Sequence, residues 1–210
     1  MQPKRTEDKI KFSSLDVAKA MQRLDLKDLI EWKINFAPIA PSDFYVERLK
    51  RLEVFDLVQT ETAKELVIDA VFEEALANYK KLRVWKAAPL STDELTGRAD
   101  YLVARRQRYV ETPLLCVAEA KRDDFEKGLG QCLAEMEACQ WINERDDKNI
   151  DIYGIVTNGE GWKFYKLTTT NEVFETVAYT IANIEQVLGA LGYVFGKCEE
   201  NLQIIEEAKK

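Results

Sequence analysis

The chain is 210 residues long and carries 30 Lys and Arg against 37 Asp and Glu, a formal net charge of −7, with no histidine. The missing histidine excludes Ser-His-Asp and Cys-His catalysis, His-ligated zinc and iron centres, and nucleases that activate water through an imidazole. No run approaches ~18 apolar residues and Met1–Lys11 is charged, so we expect no membrane span and a cytoplasmic protein, and the acidic balance demands local evidence for any nucleic-acid site.

Residues 1–58 read as a charged helical extension. Ser14 is placed to cap a helix through about Ile30, and Ser42 another through about Phe55, with Pro38 and Pro41 between them. Thr62 and Glu65 then have capping-box spacing, and Leu66, Val67, Ala70, Val71, Ala75 and Tyr79 give a helical stripe to about Lys81. Three extended runs follow: Arg83–Ala88, Arg98–Arg105 and Pro113–Ala120, the last apolar enough for a central strand buried on both faces.

A second helix is expected from Asp124, with Phe125, Leu129, Cys132, Leu133, Met136 and Cys139 on one face. The four cysteines form no C-x-x-C pair and read as buried free thiols. Ile152–Thr157 and Trp162–Leu167 flank Asn158-Gly159-Glu160-Gly161, a hairpin whose aromatic residues read as core. A short strand near Val173–Ile181 and a helix from about Asn183 complete the chain. The order is that of an α/β protein with a mixed sheet covered by helices. We divide it into the extension 1–58, a core 59–182 and a C-terminal helix 183–210, all in one domain.

Charged residues stand where an apolar strand should not tolerate them. Glu119 and Lys121 close the third run and project from one face, and Asp100 lies in the strand before. Two neighbouring carboxylates repel unless a cation sits between them, and two carboxylates plus water suit Mg²⁺. Six [D/E]-x-K triplets occur, but only Glu119-Lys121 ends an apolar strand. On spacing alone a metal site and a satisfied ion pair are both open.

GRADYLV, LLCVAEAKRD, GLGQCLAEM and IYGIVTNGEGWKFYKL together resemble the PD-(D/E)XK nuclease superfamily. They are most similar to the nuclease-type domain at the N-terminus of the type I restriction enzyme motor subunit. The resemblance covers about residues 60–168. It implies a restriction-endonuclease-like mixed sheet with an αβββαβ core. It also implies hydrolysis of DNA phosphodiester bonds with Mg²⁺ or Mn²⁺, in restriction or genome defence, by a homodimer or within a larger restriction-type complex. In its terms Asp100 and Glu119 hold metal, Lys121 positions or activates water, and Gln131 orients the substrate or supports the site. Glu61 is the choice for an added first-helix carboxylate. The Pro that usually precedes the Asp is Ala99 here, and the Tyr that some relatives carry four residues after the Gln is Glu135. Arg98, Arg105, Arg106, Arg108 and Arg122 are the candidates for DNA phosphates. A catalytically inactive nuclease-fold module for DNA or protein binding is the alternative reading.

Overall fold

A computed structural model describes residues 9–57, 60–121 and 125–208, the side chain of Glu61 excepted. At its centre is the apolar run that ends at Ala120. Strand β5, Leu114–Ala120, is buried at every position. It pairs antiparallel with β4, Leu95–Arg105, on one side and parallel with β6, Ile152–Thr157, on the other. A parallel pair needs a crossover, and helix α4, Phe125–Glu144, supplies it. The remaining neighbours are antiparallel: β3, Leu82–Ser91, on β4, and β7, Gly161–Leu167, on β6.

Helix α3, Glu61–Leu76, precedes β3, so the order helix, three strands, helix, strand is present as expected. The helix starts earlier than the Thr62–Glu65 spacing suggests, because Thr60 caps it by accepting from the Ala63 N–H at 3.1 Å. Asn158 builds the β6–β7 turn by accepting from the N–H groups of Glu160 and Gly161, with Gly159 at φ +85°. The expected strand near Val173–Ile181 is split into β8, Val173–Glu175, and β9, Tyr179–Thr180, both on β7. Trp162, Phe164 and Tyr165 are core, in line with the expectation for the hairpin. Helix α5, Ile184–Glu207, follows, and the described residues form a mixed nine-stranded α/β sheet with helices packed on it.

The N-terminal region differs most from expectation. Helix α1 is only Val17–Arg23, capped by Asp16 rather than Ser14, and α2, Asp43–Leu52, is capped by Ser42 as expected. Between them the chain forms no helix. Instead of forming a purely helical appendage, the segment adds two strands to the sheet: β1, Ile10–Lys11, beside β4, and β2, Ile30–Glu31, beside β8. Two-residue edge strands leave too little alternation to be read from sequence. No helix among the described residues is long and apolar enough to cross a membrane.

Candidate active site

The antiparallel register pairs Tyr101 with Ala118, so the next step along both strands sets Asp100 beside Glu119. Asp100 Oδ2 accepts a hydrogen bond from the Ala120 N–H at 2.9 Å, which locks the two strands together at that point. Lys121, one residue past β5, turns back so that its Nζ meets Glu119 Oε1. Glu119 is 0 % exposed and the Lys121 side chain 17 %, so the pair is held at the C-terminal end of β5, just before α4. That end of a parallel pair is where α/β sheets open their crevices.

Gly128 allows this packing. A Cβ there would lie 2.8 Å from Val156 Cγ1 and 3.0 Å from Lys121 Cγ, so only glycine lets α4 approach the lysine stem. The second glycine of the motif has another task. A Cβ on Gly130 would meet main-chain atoms of Leu15, Asp16 and Val17 at 2.6–2.8 Å. The N-terminal segment is thereby seated on α4, and the pairing of Arg23 Nη2 with Glu137 Oε1 at 2.6 Å holds its far end.

The electrostatics follow from burial. Desolvation, then the charge of Asp100, push the Glu119 carboxyl up to about 8, against the pull of Lys121. Glu135, on the same face of α4, is 0 % exposed and is raised well above the ordinary carboxylate range, by burial first and Glu119 second. Gln131 Nε2 donates to Glu135 Oε1 at 3.1 Å, so Gln131 acts on another carboxyl rather than facing an open site. Among the described residues, Glu119 Oε2 and Glu135 Oε2 are both buried with no conventional hydrogen-bond partner. The sequence signal for Glu135 is its spacing, i+4 from Gln131 on an otherwise apolar helix face.

The remaining candidates scatter. Arg98 lies two residues from Asp100 on the same strand face and donates to the Ala87 carbonyl at 2.7 Å. Arg105 lies five residues along β4 from Asp100, roughly 17 Å away at ~3.4 Å per residue, and pairs with Glu206 of α5 at 3.1 Å. Arg106 lines a groove of ≈ 530 Å³ between α3 and β3. Arg108 stacks over Tyr109 in the turn beyond β4. Strand geometry thus carries the Arg105–Arg108 group away from the carboxylates and leaves only Arg98 beside them. Arg122 and the side chain of Glu61 lie outside the described residues. Glu65, one turn after Glu61, pairs with Lys86 at 3.0 Å. Lys86 and its cross-strand partner Tyr101 lie under α3, on the sheet face opposite Asp100.

The donor set still suits a hard divalent cation. No cluster of three His, Cys, Asp or Glu side chains among the described residues forms a ready ligand cage. Mg²⁺ needs none, because it keeps several waters and takes one or two carboxylates plus substrate phosphate oxygens. Asp100 and Glu119 supply that number, and Glu119 Oε2 is a buried oxygen that meets no nitrogen or hydroxyl among the described residues. No protein-family model and no curated protein matches this chain.

Proposed function

We propose that the protein is a metal-dependent nuclease that hydrolyses phosphodiester bonds of DNA. The observation that carries this reading is the juxtaposition of Asp100, Glu119 and Lys121 at the end of β5, with one buried Glu119 oxygen that meets no nitrogen or hydroxyl among the described residues. Asp100 and Glu119 would hold Mg²⁺ or Mn²⁺, whose chemistry there is activation of water and neutralisation of phosphate charge. Asp100 is oriented for this by the Ala120 N–H, and Glu119 by Lys121. The Lys121 ammonium donates hydrogen bonds but accepts none, so its part is to orient the attacking water or to meet charge developing on phosphate. Arg98 is the cation placed to hold a neighbouring phosphate. A role in restriction or genome defence, with a second copy or a larger complex, accords with the sequence resemblance.

A second reading is a catalytically inactive nuclease-fold module for DNA or protein binding. It is favoured by the closed Lys121–Glu119 ion pair and by the distance of Arg105, Arg106 and Arg108 from the carboxylates. Incubation of plasmid and single-stranded DNA with Mg²⁺, Mn²⁺ or EDTA separates the two. Cleavage in metal and none in EDTA supports the nuclease, and no cleavage under any condition leaves the binding module.

A further inference from the structure

The described arginines divide by partner. Arg23, Arg48, Arg51, Arg105 and Arg145 each pair with a carboxylate. Arg83, Arg98, Arg106 and Arg108 pair with none among the described residues, and all four lie on β3, on β4 or in the turn beyond it. Strand pairing brings Arg83 to the others. It stands opposite Ala104, its Nη1 donates to the Gln107 carbonyl at 2.5 Å, and its guanidinium lies 5.6 Å over the Trp85 ring. The Arg106 N–H donates to the Lys81 carbonyl at 2.6 Å, which sets exposed Lys80 and Lys81 beside it. Arg108 stacks over Tyr109, which is 64 % exposed. Glu206 answers only Lys81 and Arg105 in this corner, at 3.3 and 3.1 Å. A chain of net charge −7 thus keeps its unneutralised arginines on one strand pair.

We propose that Arg83, Arg106 and Arg108 form a second phosphate-binding surface, which grips duplex DNA away from the carboxylates. Ala104 and Asp100 point to one face of β4, and Arg83, as the cross-strand partner of Ala104, shares that face. Asp100 and Ala104 are four residues apart, roughly 14 Å at ~3.4 Å per residue. That span is about four base pairs of a duplex that rises ~3.4 Å per pair. Strand β3 pairs only with β4, and Lys86 and Ala87 are exposed along it. A duplex is stiff over so short a span, so one lying along this edge presents phosphates to Arg98 and to Arg83 together. The distance from grip to cut rests on the nuclease reading, but the grip itself does not.

Binding of a labelled duplex of about 24 base pairs is followed by fluorescence anisotropy in EDTA across a salt series. The triple variant Arg83→Gln, Arg106→Gln, Arg108→Gln is compared with wild type and with Arg48→Gln, Arg51→Gln, whose arginines are paired with carboxylates. The triple variant should bind at least about tenfold more weakly, with a salt slope shallower by about 2–3, and the control within about twofold of wild type. Equal binding by the triple variant and the control overturns the proposal, as does wild type that binds no duplex. Where the triple variant fails to fold, the double variant Arg106→Gln, Arg108→Gln should still reduce the slope by about 2, and an unchanged slope overturns it. A greater loss for single-stranded RNA than for the duplex overturns the assignment to duplex DNA. Wild type that cuts no DNA in Mg²⁺ or Mn²⁺, with duplex binding lost in the triple variant, removes the nuclease reading and upholds the grip. Metal-dependent cutting with duplex binding unchanged in the triple variant does the reverse.

Discussion

Asp100 Oδ2 accepts a 2.9 Å hydrogen bond from the main-chain N–H of Ala120, the residue between Glu119 and Lys121. One short contact therefore fixes the position of all three proposed site residues, and Asp100 serves the fold as well as the chemistry. Its charge also bears on buried Glu119. The two effects are separable by substitution. Asp100→Asn keeps an acceptor for Ala120 and removes the repulsion, so in EDTA above about pH 8, where Glu119 is ionised, it should melt above wild type. Asp100→Ala loses the hydrogen bond, worth about 1 kcal/mol, and should melt below Asp100→Asn. An Asn variant less stable than wild type would show that the repulsion is already relieved in the folded chain.

The pH dependence of stability follows from Glu119. Its carboxyl is raised from 4.5 to about 8, by burial first and Asp100 second. Between those values the folded chain holds a proton that the unfolded chain releases, so the slope of unfolding free energy with pH is negative. The stabilisation is complete below about pH 4.5 and is lost as pH rises through about 8. Glu135 acts in the same direction. In EDTA, Tm should fall from about pH 5.5 to 8, and less steeply in Glu119→Gln. A rise over that interval would contradict a protonated buried pair.

The two glycines of α4 should respond differently to alanine. In Gly128→Ala the new methyl presses on Val156 Cγ1 and the Lys121 stem, both side chains that yield in part. A cost of about 1–3 kcal/mol is expected, with activity falling further than stability because Lys121 is displaced. In Gly130→Ala the methyl meets main chain of Leu15–Val17, which cannot rotate away. The segment at 9–24 should then lose protection in hydrogen exchange while β5 keeps its own.

Ala87 lies opposite Asp100 across the β3–β4 register and has φ +49°, in the left-handed region. Its carbonyl receives the Arg98 guanidinium. A Cβ in that region costs roughly 1–2 kcal/mol, so Ala87→Gly should be neutral or stabilising by up to about 1 kcal/mol. In an ordinary strand the same change destabilises. A clear loss in Tm would place the backbone of Ala87 outside that strained region in solution.

The site strands are legible in the sequence because they break a pattern. The run ending at Ala120 is buried throughout, so Glu119 within it stands out, and period-two alternation puts Lys121 on the same side. The Asp100–Glu119 juxtaposition needs strand adjacency, which hairpin order makes the simplest arrangement. The N-terminal segment is not legible in the same way, because Asp16, rather than Ser14, caps a short helix, and because β1 and β2 are set by partners far along the chain. Arginine clustering at 98–108 suggests one patch, but a strand spreads residues along its length, and only Arg98 remains near Asp100. Glu135 reads as an isolated departure on a helix. Its meaning depends on packing across to β5, which spacing alone does not encode.

The central claim is most directly tested by cleavage of supercoiled plasmid in Mg²⁺ and in Mn²⁺, comparing wild type with Lys121→Ala and Asp100→Ala. Metal-dependent nicking or linearisation by wild type is expected, abolished by EDTA and reduced at least ~100-fold in both folded variants. Cleavage that survives EDTA, or that is unchanged in both variants, would contradict the assignment of this site as a nuclease centre.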